Sequence, residues 1–599
     1  MSVNTKKQSM LNGAIILAVA TVFVKLIGAL YKIPLTDLIG AVGRGYFNSA
    51  YEIYTPIYAI SMAGLPVAVS RLVSESVALG NYSNARAIYK VASKIFLITG
   101  VAGTALMFLI AYPYTHYIAD PRNLPAVLAI APSIFFCCAM SSYRGYYEGL
   151  RNMTPTAVSQ IIEAITKLAL GLGVSYGVLQ YGLSRFNSGK TVFGSSAADL
   201  SEAYSLIYPY SAAGAILGVT AGTVFGLLYL MFRHRFKGDG FTRTELVNSP
   251  KADSNKFLAK RIIAFAIPMV ASALILNITN LIDTVTIQRR LMTAIELDPE
   301  LIKSMYNASF TASGTLEKDY VKYLYGTYGS VLDFRNLIPT ITMSLGVSAL
   351  PALSAAWTVN DKKNIRVTIE SVIRVTMLIA LPAGFGMAVL AKPILSFVYS
   401  NSADIIPIAV PLMTVYGMAT FIMAASSPVT SMLQGLGRAD IPVKTLVAGA
   451  IVKIVLNYIL VGTPRFNING APIGSILCYI IIVGFNIYFL LRISKTRINF
   501  ASVFLKPFIC AALSAASAWS SYSLCERFLS SKLSGIRVSG IAARLLSPNT
   551  FSTLLAIGIA VVVYILSLLL LRALSKDDVT MLPKGEKIAK KLEKYGLLS

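Results

Sequence analysis

The sequence predicts an all-α polytopic membrane protein of about fourteen transmembrane helices. Of 599 residues, 55% are hydrophobic and only 13% are charged, against roughly 25% charged in an average soluble protein. Many of the apolar runs are about 20 residues long, enough to cross a bilayer as a helix. The formal net charge is +26, and Lys and Arg gather between the apolar runs, as the positive-inside rule requires of cytoplasmic loops. The balance is wrong for a soluble globular protein and for a disordered chain. With no soluble basic domain present, the charge reads as membrane topology and not as nucleic-acid binding.

The apolar runs centre near Val22, Ile60, Gly103, Phe135, Leu170, Gly218, Leu274, Thr342, Leu381, Val415, Val452, Ile481, Ala515 and Val561. The first follows Lys6 and Lys7, like a signal peptide. It is long, carries Lys25 in its middle and is followed by further spans, so it reads as a retained helix. With the N-terminus inside, the inside segments hold roughly twice the Lys and Arg of the outside ones. The richest segment, Arg233 to Arg261, holds eight. The even span count puts the lysine-rich tail from Lys576 to Lys594 on the same side, with both termini cytoplasmic. One loop runs against this pattern: Arg527, Lys532, Arg537 and Arg544 fall outside, in a segment long enough for the rule to weaken.

The chain also repeats itself. Glu148-Gly149-Leu150 and Gln434-Gly435-Leu436 each precede a proline and an apolar helix, and at the same offset of 286 residues Lys167 falls on Lys453. Leu65-Pro66 and Ser70 match Leu350-Pro351 and Ser354; Asn84 and Arg86 match Asn364 and Arg366; Pro113 matches Pro393. The repeat unit is six spans used twice. Six is even, so the halves share one orientation and form a parallel repeat. The domain reading is an N-lobe at 1–235, a cytoplasmic linker at 236–258, a C-lobe at 259–495, two extra spans at 496–575 and a basic tail at 576–599.

Nine charges fall inside the spans. Facing lipid, they would cost on the order of 25 kcal/mol together, more than the stability of a typical protein. They must face the bundle interior, a watery cavity or one another. The cations Lys25, Lys167, Arg335 and Lys453 are candidate ligands for an anionic substrate. Lys32 sits near a span end, where snorkelling explains it. Glu163 and Lys167 are spaced i,i+4 and can pair on one helix face. Lys453 has Gly449 in the equivalent place and so lacks that local acid, which makes it the better anion ligand. Asp333 and Arg335 are two apart and point in different directions. Glu52, Glu163, Asp283 and Asp333 are candidate counter-ions, or sites for a coupling proton or sodium ion. Arg144, Glu148 and Arg151 cluster at the inner end of the fourth span and recur in weaker form as Gln434 and Arg438. They read either as a positive-inside anchor or as a cytoplasmic gate closed by ion pairs.

Enzyme signatures are missing. There is no GxxxxGK[ST] for a nucleotide-driven motor, no HExxH and no CxxC pair, and with two histidines in the chain a metal site or a Ser-His-Asp triad is not expected. The five cysteines lie mostly within apolar runs and imply no disulfide framework. Asp120 and Asp298 are poor candidates for a membrane-embedded glycosyltransferase. No cofactor is expected, and the chain is expected to act as a monomer in the bilayer.

The run Val24-Lys25-Leu26-Ile27-Gly28, then Gly40, then Ala63-Gly64-Leu65-Pro66 with Ser70-Arg71, resembles the multidrug/oligosaccharidyl-lipid/polysaccharide (MOP) exporter superfamily. Within it the chain looks like the stage V sporulation protein B and YtgP group, related to the lipid II flippases. In the second half Gly346-Val347, Leu350-Pro351-Ala352-Leu353-Ser354 and Gln434-Gly435-Leu436-Gly437 carry the same resemblance. It implies a V-shaped pair of six-helix lobes around a cationic cavity. It also implies transport of an undecaprenyl-pyrophosphate-linked sugar, such as the peptidoglycan precursor lipid II, with the lipid tail held in a groove of the two extra spans. The family's first-span arginine corresponds best to Lys25, and its eighth-span cavity cation to Arg335. Lys in place of Arg matters, because lysine meets phosphate as a point charge and not as a bidentate fork. The rival expectation is a cation-coupled multidrug exporter using Glu52 or Asp283.

Overall fold

The computed structural model describes residues 10–62, 64–118, 120–533 and 548–574. Lys6, Lys7, Arg537, Arg544 and the basic tail at 576–599 lie outside the described residues, as does the side chain of Lys532. Apart from an isolated bridge between Val192 and Ser195, the described regular structure is helical. In hydrocarbon every backbone N–H and C=O must find an internal partner, and a helix supplies one within the segment itself. All fourteen predicted span centres fall in helices. Among the described residues, eleven helical runs are long and apolar enough to cross a membrane.

Contacts divide the chain into two units: residues 1–289 with 310–326, and residues 290–309 with 327–599. The first contains α1 (Met10–Met62), α2 (Leu65–Ala78), α3 (Tyr82–Pro113), α4 (Leu124–Gly149), α5 (Thr154–Asn187), α6 (Leu200–Lys237), α7 (Arg243–Val247) and most of α8 (Asn255–Leu297). The segment that returns to it takes in the end of α9 (Pro299–Ser313) and the first turns of α10 (Tyr320–Arg335). Helix α1 covers the first predicted span and runs into the second. It bends at Gly40, whose φ of 62° only glycine adopts without strain. The second unit contains α11 (Leu337–Thr358), α12 (Lys362–Val389), α13 (Ala391–Val398), α14 (Ile406–Gly435), α15 (Asp440–Val461), α16 (Gly470–Ser494), α17 (Lys506–Leu533) and α18 (Pro548–Leu570).

The sequence reading assigns α8 to the C-lobe, whereas contacts group most of it with the first unit. Named bonds account for this. Arg261 donates to both carboxylate oxygens of Glu75 on α2, and the Thr284 and Tyr325 hydroxyls are bonded at 3.0 Å. The linker between α6 and α8 is tied down as well. The Ser83 amide donates to Ser249 Oγ at 3.0 Å, the Asp253 amide donates to Asn84 Oδ1 at 3.0 Å, and Thr242 caps α7 in a capping box with Glu245.

Helix ends follow local chemistry. Asn81 caps α3 by accepting from the Asn84 amide, and Asp361 caps α12 by accepting from the Asn364 amide, so these repeat-related helices start alike. Proline opens α2, α4, α5 and α14, where its missing N–H costs nothing. The outward faces are apolar: on α3, Ile98 and Leu109 are 69% and 74% exposed, the inside-out pattern of a lipid-facing surface.

The repeat is visible atom by atom in two turns. After α4, the Leu150, Arg151 and Asn152 amides donate to the carbonyls of Tyr146, Glu148 and Tyr147; after α14, Leu436, Gly437 and Arg438 donate to Met432, Gln434 and Leu433. Arg151 is therefore the counterpart of Gly437, not of Arg438. Both are left-handed, with φ of 57° and 77°. A non-glycine residue in that conformation costs roughly 1–2 kcal/mol. Replacing Arg151 with glycine should therefore stabilise the first unit by about 0.5–1 kcal/mol, after allowing for glycine's larger entropy loss. A melting temperature in detergent that rises with Arg151→Gly, and does not change with Arg438→Gly, is the expected result.

Candidate functional site

Helix α5 presents Gln160, Glu163, Ala164 and Lys167 along one face, the spacing of successive helical turns. Its other face lies against α6, where Gly214, Gly218, Gly222 and Gly226 recur every fourth residue. A Cβ on Gly218 would overlap the Gly171 backbone, and one on Gly222 would come within 2.7 Å of the Glu163 carbonyl oxygen. Small residues at this spacing let membrane helices pack backbone to backbone. Tyr31 of α1 ties into the same pair, donating its hydroxyl to the Ala215 carbonyl at 3.1 Å.

A cavity of about 360 Å³ opens on this face, lined by Thr21, Lys25, Gly28 and Tyr31 of α1, Arg144 of α4, and Gln160, Glu163 and Lys167 of α5. Lys167 Nζ donates to the Tyr51 hydroxyl at 3.2 Å and lies 5.1 Å and 5.4 Å from the centres of the Tyr31 and Tyr51 rings. A tyrosine ring attracts a cation while carrying no formal charge. Lys25 is exposed and takes part in no hydrogen bond or ion pair among the described residues. Arg144 donates from Nη2 to Glu163 Oε2 at 3.0 Å and from Nε to Ser159 Oγ at 2.9 Å. The lining thus holds three cations and one carboxylate, a net charge of +2.

This arrangement departs from the sequence reading at Glu163 and adds to it at Arg144. Spacing allows Glu163 to pair with Lys167 one turn along, but the partner found for it is Arg144 of a neighbouring helix. A guanidinium fork meets a carboxylate in better geometry than an ammonium. Arg144 is read together with Glu148 and Arg151 as an anchor or a gate. It lines this cavity, while Glu148 is half-buried one turn further along α4 and Arg151 is exposed in the turn beyond.

Of the four cations singled out in the sequence, Lys25 and Lys167 are brought together here, and Arg335 and Lys453 belong to the second unit. The Arg335 guanidinium sits 5.3 Å from the centre of the Tyr416 ring, and Nε donates to Asn336 Oδ1 at 3.1 Å. The Tyr416 and Tyr328 hydroxyls are bonded at 2.8 Å. Lys453 is buried and is not without a partner, so the expected unpaired cation is not found. Gly449 replaces the local acid because a Cβ there would already come within 2.8 Å of Ile482. Asp333 is half-buried on α10. Glu52 and Asp283, on α1 and α8, both lie close enough to Tyr325 to act on it electrostatically.

Two charged networks escape the sequence reading because their members are distant in the chain. Asp120, in the α3–α4 connection, accepts from Arg122 Nη2 at 3.0 Å and from the Tyr46 hydroxyl at 3.1 Å. Arg122 Nη1 also donates to buried Asp319 at 2.7 Å. Lys322 is buried beside them, donating to Gln288 Oε1 at 2.6 Å and Ser49 Oγ at 3.3 Å. Burial works against the Asp120 carboxylate, but Lys322 and Arg122 outweigh it and hold its pKa below the ordinary value. In the α6–α7 loop, Asp239 accepts a bidentate pair from Arg86 at 2.6 and 2.9 Å and a third bond from Tyr146.

The family profile described as polysaccharide biosynthesis protein matches residues 10–357, and the MatE profile matches 325–459. Lipid II flippase MurJ of Bacillus subtilis is 24% identical over 79% of this chain and 80% of its own. Stage V sporulation protein B of the same organism is 23% identical over 85% of this chain and 90% of its own. An uncharacterized membrane protein of that organism, YabM, is 22% identical over 98% of both chains. Among solved structures, a lipid II flippase MurJ in an inward closed conformation aligns over 92% of this chain and 98% of its own with a TM-score of 0.59 at 15% identity. An inward-facing MATE transporter of the MOP superfamily aligns over 77% and 94% with a TM-score of 0.57 at 14% identity. At these identities the structural likeness establishes the fold.

Asp120→Asn should destabilise the protein by on the order of 2 kcal/mol at pH 7, since hydrogen bonds to a charged group are lost inside a buried network. The folded-state pKa of Asp120 is depressed, so its contribution is present above the unfolded value near 4 and is lost as pH falls through the folded value. The stability gap between wild type and variant should therefore narrow as pH falls below about 4 and close only below the depressed folded-state value. A gap that persists in acid would contradict this account.

Proposed function

The chain belongs to the polysaccharide biosynthesis protein family, within the MOP superfamily of membrane transporters, and from that premise we propose that it flips an undecaprenyl-pyrophosphate-linked sugar, lipid II in particular, by alternating access. The observation that carries this reading is the cavity between α1, α4 and α5, whose lining holds Lys25, Arg144 and Lys167 against the single carboxylate of Glu163. A net positive, partly apolar pocket on membrane helices suits a diphosphate headgroup. The charges are also spared the cost of facing lipid.

A second cavity suits the tail. It measures about 620 Å³ and is lined almost wholly by apolar side chains of α12, α13, α17 and α18 with the α10–α11 junction, among them Leu337, Leu378, Pro382, Ala515, Val561 and Tyr564. Helices α17 and α18 hold the two spans left over after the six-span unit is used twice, the spans that the family resemblance expects to receive an isoprenoid chain, and the apolar lining supports that reading. In this reading both termini are cytoplasmic, the membrane is the bacterial cell membrane, the protein works as a monomer, and a proton, sodium ion or the membrane potential drives the cycle. Arg335 and Lys453 serve as further cations of the second unit.

The MatE match favours one alternative, a cation-coupled multidrug exporter with Glu52 or Asp283 as the coupling site. One comparison separates the two. Lipid II headgroup accessibility at the cell surface is measured for wild type, Lys25→Ala and Lys167→Ala at matched expression. The flippase reading expects about a 10-fold loss for each variant, the weight of a charge-assisted contact. Unchanged lipid II exposure, with dye efflux lost in Glu52→Ala or Asp283→Ala, would establish the exporter instead.

A further inference from the structure

We propose that Arg144 is a direct ligand of the substrate's diphosphate group, and that Glu163 is the counter-ion that orients Arg144 and keeps the site weak enough to release what it binds. This assignment rests on the diphosphate reading above. It gives Arg144 a role that its place in the sequence, at the end of the fourth span, does not suggest.

The geometry of Arg144 is that of a held ligand. Its side chain is 16% exposed, and two of its three nitrogens are committed: Nε to Ser159 Oγ and Nη2 to Glu163 Oε2. Ser159 is itself fixed, donating to the Thr156 carbonyl at 2.8 Å. Among the described residues Nη1 donates to nothing, and Arg144 lines the same cavity as Lys25 and Lys167. A guanidinium locked on one edge and open at the remaining nitrogen is pre-organised for an oxyanion, because little rotamer freedom is left to lose on binding. The glycine contacts behind α5 fix the other partner, since Gly222 holds the backbone at Glu163 tightly against α6.

Glu163 then has a second effect. With it ionised, the four charged side chains sum to +2, which a diphosphate diester neutralises. Without its charge the site would carry one more positive charge than the ligand can balance. A transport site must bind well enough to load and weakly enough to unload, so the carboxylate limits affinity in favour of turnover.

The test uses the full chain in lipid nanodiscs and proteoliposomes, with two probes: a short-chain polyprenyl-diphosphate-linked N-acetylglucosamine and inorganic pyrophosphate. Wild type should bind the lipid-linked probe. Arg144→Ala should weaken that binding about 10-fold or more, and Arg144→Lys, which keeps the charge without the fork, should fall between. Glu163→Gln should bind several-fold tighter yet flip the probe more slowly, lowering KM and kcat together. A purely structural role would not produce that split. Equal binding of inorganic pyrophosphate would support the diphosphate site and assign it to a soluble ligand. If wild type binds the lipid-linked probe and both Arg144 variants bind it as wild type does, Arg144 is not a ligand and the flippase reading survives. Weaker binding by Glu163→Gln overturns the role given to the carboxylate. If wild type binds neither probe, the diphosphate reading itself fails, and this assignment with it.

Discussion

Charge buried in an apolar helical bundle must be answered from within the bundle, and the polar architecture of this protein follows from that requirement. Three carboxylates illustrate one solution. Glu163, Asp120 and Asp239 are each met by an arginine, Arg144, Arg122 and Arg86, and a tyrosine hydroxyl also donates to Asp120 and to Asp239. A lysine and an arginine at membrane depth show another. Lys167 lies over Tyr31 and Tyr51, and Arg335 lies over Tyr416. An arginine–carboxylate pair cancels charge, whereas a tyrosine ring steadies a cation and leaves its field intact. The choice of partner therefore sets how much of a cation's field is left for a ligand: the arginines at Asp120 and Asp239 are spent on the fold, whereas Arg144 keeps one nitrogen open beside Glu163.

Much of the architecture was legible in the sequence because it depends on local pattern. Apolar runs locate helices, and the motifs at Glu148-Gly149-Leu150 and Gln434-Gly435-Leu436 mark two turns with the same hydrogen-bond scheme. Lys25 and Lys167 stand out in the sequence because membrane-depth cations have few places to go, but nothing there separates the cavity they line from Arg335 and Lys453 of the other unit. The illegible parts depend on contacts between distant segments. Nothing near Asp120 in the chain announces Asp319, and nothing near Glu163 announces Arg144. The i,i+4 rule pointed Glu163 to Lys167 because it weighs one helix at a time. Repeat alignment by residue type likewise matched Arg151 to the wrong neighbour, since arginine and glycine share no chemistry and only the backbone shows that they occupy the same left-handed position.

The two units also solve equivalent problems differently. Position 163 carries an acid in a cavity; its counterpart Gly449 is pressed against Ile482, where no side chain fits. Lys167 meets a cavity, and Lys453 is buried. Duplication supplied the helices, but the polar chemistry of the halves has diverged, and the larger apolar cavity lies in the unit that carries the two additional helices.

The glycine stripe of α6 has a mechanical meaning. Where backbone meets backbone there is no side chain to swing aside, so sliding α6 along α5 by even a fraction of a turn drives main-chain atoms into one another. The pair behaves as a stiff plate on which Glu163 and Lys167 are mounted at fixed separation. Helix α1, which carries Lys25, is itself bent at Gly40. Tyr31 of α1 is bonded to that plate at the Ala215 carbonyl, so the part of α1 that carries Lys25 is fastened to the same rigid support, and the bend at Gly40 lies beyond the fastening.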